Sequence, residues 1–268
     1  MESMQRIAMV AFAALAACSS QPPKPSPAAL AELAPTGKLR AAINFGNPVL
    51  ASKDPATGEA RGVSVDLSRE LARRLGVPLE IVPYAAAGRV VEAVKTGAWD
   101  VGYVAIDPLR GVDMIQSPPY VVIEGSYLVP AESPIRSNAE VDREGIRIAV
   151  GKGSAYDLFL SREIKRAMLV RAPTSPEVVS TMIRENLEVA AGVRQQLEAD
   201  AKRVAGVRLL PGRFMVINQA MAVPRGRDAG ARYVRDFIEE MKSSGFVALA
   251  LARHRVEGAA VASPDDSR

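Results

Sequence analysis

Arg110 is a residue whose type and position could bind a ligand. It follows an apolar run over residues 101–106 that stops at Asp107 and Pro108, so it lies just beyond the end of a predicted strand. Ligands of open α/β sheets bind outside the carboxyl ends of the strands. A surface charge is the competing explanation, because the chain has 34 lysines and arginines. The secondary structure predicted around Arg110 is therefore needed to choose between a ligand-binding role and a surface position.

The sequence offers few groups for catalysis or for metal binding. His254 is the only histidine and Cys18 the only cysteine, so neither a metal cluster nor a Ser–His pair is expected. The segment GKGSAYDLFL, residues 151–160, lacks the spacing of a phosphate-binding P-loop. We therefore predict no catalytic residue, no metal and no cofactor.

The charge pattern gives no support to a nucleic-acid partner. Charged residues make up 24% of the chain, aromatic residues only 5%, and the net charge of +4 is spread along it. No basic stripe with interleaved aromatic residues is present in the sequence. We expect no contact with nucleic acid.

The first residues resemble an export signal. Arg6 precedes an apolar run over residues 7–17, which is too short to cross a bilayer, since that takes about 20 residues. The run ends in LAAC, which resembles the bacterial lipobox and would make Cys18 a lipidation site. An ordinary cleaved signal with a chance cysteine is the alternative. We predict a signal peptide over residues 1–17 and a proline-rich tether over residues 18–36.

The body alternates short apolar strands with amphipathic helices, which indicates parallel sheets built of βαβ units. The rhythm changes at two extended apolar segments, near residues 125–130 and 217–224. Two α/β lobes joined by two crossings are therefore predicted. The expected bounds are residues 37–126 plus 222–253 for lobe 1, 127–221 for lobe 2, and 254–268 for a flexible tail.

Several segments resemble family 3 extracellular solute-binding proteins of bacterial ABC transporters. They are GVSVDLSRELARRLG followed by VKTGAWDV, then GIRIAVGKGSAYDLFL and FMVINQAMAVPRG. The resemblance covers roughly residues 37–253. It implies the type II periplasmic-binding fold, in which each lobe is a mostly parallel sheet flanked by helices and the ligand cleft lies between the lobes.

The resemblance also assigns roles to residues of the cleft. It implies that Arg110 makes a bidentate contact with a ligand carboxylate, which a planar guanidinium matches well. It further implies that Gly153 and Ser154, at the start of a second-lobe helix, receive the same anion, although Ser154 could be a plain helix cap. Closure of both lobes on one carboxylate would then capture the solute.

This chain departs from the amino-acid binders of that family in several places. Where they carry an acidic residue for the ligand ammonium, after the strand in LEVAAGVRQQ, Arg194 lies at or next to the position. A second cation in the cleft favours a dicarboxylate, a keto acid or another acidic solute over a simple amino acid. Five further residues are candidates for contact with the solute: Phe45, Asn47, Tyr103, Tyr156 and Gln219. Packing in the core is the alternative for Phe45 and Tyr156.

The sequence thus predicts a lipid-anchored, periplasmic binding component of an ABC importer. We expect a monomer that captures a small carboxylate-bearing solute, an amino acid or another organic acid, and delivers it to an inner-membrane permease. One alternative is an enzyme on the same fold, similar to cyclohexadienyl dehydratase, with Glu124 or Asp107 as the acid. The other is a sensory or partner-binding lipoprotein without a transporter.

Overall fold

The computed structural model describes residues 24–265. The predicted signal peptide and the proposed lipidation site Cys18 lie outside the described residues. None of the helices between residues 24 and 265 combines the length and the apolar composition that a membrane span requires.

The described chain forms eight α-helices and thirteen strands. The helices are α1 (Pro27–Leu33), α2 (Val63–Leu75), α3 (Ala87–Ala93), α4 (Ala155–Glu163), α5 (Val178–Arg184), α6 (Arg194–Arg203), α7 (Asp228–Ser243) and α8 (Phe246–Arg253). The strands are β1 (Leu39–Asn44), β2 (Ser52–Lys53), β3 (Ala60–Arg61), β4 (Leu79–Tyr84), β5 (Val101–Ala105), β6 (Met114–Gln116), β7 (Val121–Pro130), β8 (Arg147–Gly151), β9 (Met168–Ala172), β10 (Val189–Val193), β11 (Val207–Leu209), β12 (Met215–Pro224) and β13 (Ala260–Val261).

Helix α2 shows how the sequence pattern produces the local structure. Leu67, Leu71 and Leu75 recur at helical spacing and are all buried, so they form the face that packs on the sheet. The helix ends at Gly76, whose φ of +68° is a left-handed conformation that glycine adopts without strain.

A single large sheet runs through both lobes in the order β4-β1-β5-β12-β7-β10-β8-β9. Strands β4, β1 and β5 are parallel in the first lobe, and β10, β8 and β9 are parallel in the second. The predicted architecture is therefore confirmed: two lobes, each with a mostly parallel sheet flanked by helices.

Strands β7 and β12 connect the lobes, as the two extended segments predicted. Strand β12 pairs with β5 over residues 219–222 and with β7 over residues 215–219. Strand β7 in turn pairs with β10 over residues 125–128. The change of partner occurs at Gln219 and at Gly125, close to the predicted lobe boundaries.

The tether prediction is wrong over residues 27–33, which form helix α1. Ser26 caps the helix by accepting a hydrogen bond from the Ala29 N–H at 3.1 Å, and Pro27 occupies the first turn, where its missing N–H costs nothing. Leu33 is fully buried, and Glu32 accepts a hydrogen bond from the Gly230 N–H of α7 at 2.7 Å. The prolines favoured the prediction of an extended segment, but residues 27–33 form a helix that packs on the folded body.

The predicted flexible tail is also wrong over residues 254–265. His254 Nε2 lies 2.9 Å from Oδ2 of Asp66, and β13 pairs with β7 through Ala260 and Val122. The Lys242 ammonium donates to the carbonyl of Ser263 at 2.8 Å. This segment packs along the first lobe because the edge of β7 offers it backbone partners.

Candidate functional site

A cavity of about 40 Å³ lies between the lobes, at the carboxyl ends of β1, β5 and β10. One buried water molecule needs about 10–15 Å³ of such a volume, so the cavity holds a few water molecules. The polar lining residues are Asn44, Asn47 and Arg110 from the first lobe, Ser154, Tyr156 and Ser175 from the second, and Gln219 from β12.

Arg110 is buried at the centre of this cavity, with 2% of its surface exposed. Its Nη1 donates to the Ala105 carbonyl at 3.0 Å and its Nη2 donates across the cleft to the Gly153 carbonyl at 2.9 Å. Its Nε finds no acceptor among the described residues. Burial lowers the pKa of Arg110 to about 10, so the group is still a cation at neutral pH.

The nearest acidic residue does not neutralise Arg110 by direct contact. One carboxylate oxygen of Asp107 accepts from the Leu109 N–H at 2.9 Å, and the other accepts from Nη2 of Arg162 at 2.9 Å. Arg162 belongs to α4 of the second lobe, so Asp107 and Arg162 form an ion pair between the lobes. Arg110 therefore keeps a donor for a ligand anion.

Helix α4 points its N-terminus at the cavity. Ser154 caps it, with its hydroxyl accepting from the Asp157 N–H at 3.0 Å. The N–H of Gly153 donates to Asp157 at 2.8 Å, so this residue offers its carbonyl, not its N–H, to the cleft. The first N–H groups of a helix lack partners within it, so this end of α4 has donors that an anion can use.

Asn47 and Tyr156 line the same cavity. Asn47 Oδ1 is buried and has no hydrogen-bond partner among the described residues. The Tyr156 hydroxyl interacts with Ser154 and Ser175, and burial raises its pKa, so it keeps its proton. Two polar atoms of the lining residues are therefore left without a partner among the described residues, the cationic donor Arg110 Nε and the amide acceptor Asn47 Oδ1. Such atoms are rare in folded proteins.

Arg194, predicted as a second cation of the cleft, lies outside the cavity. Its Nε lies 3.2 Å from Oε2 of Glu124, and its Nη2 donates to the Gly212 carbonyl at 3.0 Å. The residue that faces the cavity at the end of β10 is Val193. Successive side chains of a strand point to opposite faces. An alignment that is wrong by one position therefore exchanges the apolar Val193 for the charged Arg194 at the cavity.

Phe45 and Tyr103, two further predicted contacts, do not line the cavity. Phe45 packs against the core with Lys53 Nζ 5.6 Å from its ring centroid. Tyr103 is buried behind the sheet, where its hydroxyl accepts from the Ser68 hydroxyl at 3.0 Å. For Phe45 the competing expectation, core packing, describes its place, and Tyr103 also belongs to the core.

Nine lining residues escaped the sequence analysis, among them four with larger side chains near the strand ends or on the crossing strand: Asn44, Ser175, Val193 and Ile217. Asn44 and Val193 are the last residues of β1 and β10, and Ser175 follows β9. The rule that pointed to Arg110, namely that ligands meet the carboxyl ends of strands, identifies these three once strand ends are known. Ile217 lies on the crossing strand β12, where no simple pattern marks it.

The two acids considered for an enzymatic role are both paired with arginines. Glu124 accepts from Nη1 of Arg213 at 2.6 Å and contacts Arg194, while Asp107 pairs with Arg162. Neither carboxylate lines the cavity. Within residues 24–265, no group of three His, Cys, Asp or Glu side chains could hold a metal ion.

Comparison with known proteins agrees with this geometry. The model of the "Bacterial extracellular solute-binding proteins, family 3" matches residues 39–254, most of the chain. A solute receptor for L-cysteine of Neisseria gonorrhoeae shares 22% identity and a TM-score of 0.75, over 85% of this chain and 94% of that one. A mutant of ArgBP from T. maritima shares 21% identity and a TM-score of 0.73, over 85% and 100%.

A third solved structure is similar to the same degree. It is an ancestral amino acid-binding protein described as a precursor of cyclohexadienyl dehydratase, with 21% identity and a TM-score of 0.71, over 84% of this chain and 98% of that one. At these identities the likeness concerns the fold. Comparison with curated proteins gave no match.

Proposed function

Because this chain belongs to the bacterial extracellular solute-binding proteins of family 3, we propose that it is the binding component of an ABC importer for a small carboxylate-bearing solute. It captures the solute between its lobes and delivers it to an inner-membrane permease. The buried Arg110, which bridges the lobes through the Gly153 carbonyl, is the observation that carries this proposal.

Capture follows from the relative strength of two acceptors for Arg110. The Gly153 and Ala105 carbonyls are neutral, whereas a ligand carboxylate is charged. Each bond from the cationic Arg110 to a carbonyl already contributes about 1.5–3 kcal/mol net, and a carboxylate adds the attraction between opposite charges and can accept two parallel N–H bonds. A carboxylate that enters the separated lobes therefore displaces these carbonyls. When the lobes close again, the start of α4 meets the same anion from the other side.

The proposal includes an anchor at the membrane. Cys18 would carry the lipid, and helix α1 begins at Pro27. Residues 18–26 then span at most about 30 Å when extended. This linker is shorter than the sequence suggested, and it would hold the body close to the membrane that carries the lipid. Labelling with a fatty-acid analogue, present in the wild type and lost in Cys18→Ala, tests the anchor.

We further propose that the protein acts by binding and not by catalysis. Glu124 and Asp107 are each paired with arginine and stand outside the cavity, which removes the acids that an elimination reaction would require. Turnover of prephenate or arogenate by the purified protein would contradict this part of the proposal.

Isothermal titration with amino acids, hydroxy acids, keto acids and dicarboxylates tests the proposed function. We expect at least one carboxylate to bind and Arg110→Ala to abolish the heat of binding. Arg136→Ala is the matched control, because Arg136 is an exposed arginine of the second lobe far from the cavity lining. Equal affinity in Arg110→Ala and wild type would remove Arg110 from the site.

A further inference from the structure

We infer that the solute is a small hydroxy acid with a single carboxylate, not an amino acid. The inference rests on the proposed function and narrows it to one class of ligand. It is carried by three features of the cavity: its charge, the apolar end of β10 and its unpartnered polar atoms.

The charge of the lining selects a ligand with a net charge of −1. Among the described residues that line the cavity, Arg110 is the one that carries a charge. Its guanidinium is buried, and the nearest carboxylate, Asp107, is engaged by Arg162. A monocarboxylate neutralises this cation. A zwitterionic amino acid would bring a second cation into the same buried space, and buried charges persist only when they are paired.

The end of β10 offers an ammonium group no carboxylate to neutralise its charge. Val193 faces the cavity with 9% of its surface exposed, and Val104 and Ile217 line the same space. An ammonium placed against these side chains loses its hydration without gaining a carboxylate. An uncharged group in that place loses far less.

The unpartnered acceptor matches a hydroxyl group. Asn47 Oδ1 is a buried acceptor without a partner among the described residues. A ligand hydroxyl can donate to Asn47 Oδ1 while Arg110 Nε binds the carboxylate. A neutral group of the ligand thus satisfies the acceptor that the protein leaves open.

Matched pairs of ligands test the inference on the full-length protein. The pairs are glycolate and glycine, L-lactate and L-alanine, 3-hydroxybutyrate and 3-aminobutyrate, and 4-hydroxybutyrate and 4-aminobutyrate. Within each pair a hydroxyl replaces an ammonium at nearly constant shape. In isothermal titration we expect a hydroxy acid to bind at least tenfold more tightly than its amino partner.

Two variants of Val193 provide a second readout. Val193→Asp adds a carboxylate at the cavity, and Val193→Asn adds a neutral side chain of the same shape. We expect Val193→Asp to reverse the preference within the tightest pair, and Val193→Asn to keep it. Thermal unfolding of both variants establishes that they are folded before they are titrated.

The outcomes separate this inference from the proposed function. If an amino acid binds as tightly as its hydroxy partner, and Arg110→Ala abolishes binding, the carboxylate site stands and the inference is overturned. If no member of any pair binds at 10 mM while other carboxylates do, the hydroxy-acid assignment is wrong. If no carboxylate binds to the folded protein at all, the proposed function fails with it.

Discussion

Arg110 and Gly153 are joined by a hydrogen bond across the cleft, from the guanidinium Nη2 to the carbonyl oxygen at 2.9 Å. The group proposed to hold the ligand therefore also holds the two lobes together. Ligand binding and lobe closure share one side chain, so a substitution at Arg110 affects both. A surface arginine would affect neither process, whereas Arg110 is buried and contributes to the closed arrangement of the lobes.

Replacement of Arg110 by methionine is expected to separate stability from function. The substitution removes a buried cation whose pKa burial lowers to about 10, and replacing buried charges by apolar groups is often neutral or stabilising. We expect Arg110→Met to abolish carboxylate binding while the free energy of unfolding rises by about 1 kcal/mol. Urea unfolding monitored by circular dichroism measures the second effect. A large loss of stability would instead make Arg110 a structural residue.

The lobes also meet at two glycines. Gly153 has a φ of +69°, and a methyl group there would lie 2.9 Å from the Cα of Gly88. We expect Gly153→Ala to hold the lobes apart and to weaken solute binding at least tenfold. Small-angle X-ray scattering with saturating solute should then show a larger radius of gyration than in the wild type.

Two control variants isolate the clash at Gly153 from other effects of alanine. Gly145 has a φ of +84° and open space around it, so Gly145→Ala carries the backbone strain without the clash. A methyl group on Gly88 would lie 3.4 Å from the Cα of Gly153, an ordinary contact, so Gly88→Ala should close normally. Binding as weak in Gly145→Ala as in Gly153→Ala would refute the steric explanation.

The Arg162–Asp107 ion pair is expected to stabilise the closed form. Its atoms are 2.9 Å apart, with Arg162 39% exposed and Asp107 nearly buried. Since an exposed partner weakens such a pair, we expect Arg162→Ala to reduce affinity by up to about fivefold, or about 1 kcal/mol. Faster dissociation in stopped-flow experiments should account for the change. The difference from wild type should shrink at high salt, and Arg166→Ala, at an exposed neighbouring arginine, should behave as the wild type.

The strand and helix rules point to residues that the structure brings together. The end of β5 predicts the place of Arg110 and the start of α4 that of Ser154, and both line the cavity with Asn47, Tyr156 and Gln219. These residues could be found because strand ends and helix starts have local signatures. The fold followed from the same alternation, since each lobe repeats strands and helices in order.

The structure departs from the sequence predictions where a choice depends on tertiary contacts or on a single position. Arg194 and Val193 are neighbours, and only the observed end of β10 shows which one faces the cavity. Tyr103 carries a hydroxyl that suits a binding site, yet Ser68 satisfies it inside the core. The segment around Ala260 has no strand pattern of its own and becomes a strand only because the edge of β7 is open to it.

Removal of residues 257–265 tests the role of this docked segment. It pairs with β7 through Ala260 and Val261, and the Glu257 carbonyl accepts from Nε2 of Gln195 on α6 of the second lobe at 3.1 Å. We expect a chain that ends at residue 256 to lose about 1–3 kcal/mol of unfolding free energy, as is usual when several hydrogen bonds and a packed segment are removed. A chain that ends at residue 265 is the control, and equal stability of the two chains would contradict docking.

Glu70 is expected to make stability depend on pH in the acid range. Hydrogen bonds from Arg73 at 2.7 and 2.8 Å, together with one from Arg74 at 2.8 Å, lower the pKa of Glu70 to about 2. Because an unfolded glutamate titrates near about 4.3, the stabilisation is complete above that pH and is lost as the pH falls towards 2.

We therefore expect Glu70→Gln to cost about 1 kcal/mol at pH 7, a value reduced by solvent screening of the pair. The difference from wild type should shrink steadily between about pH 4.3 and pH 2. Urea unfolding at pH 7, 5, 4 and 3 measures it, and Glu59→Gln is the control because Glu59 is an exposed glutamate of a loop. A difference that stays constant with pH would mean that Glu70 stabilises α2 by packing alone and not through its charge.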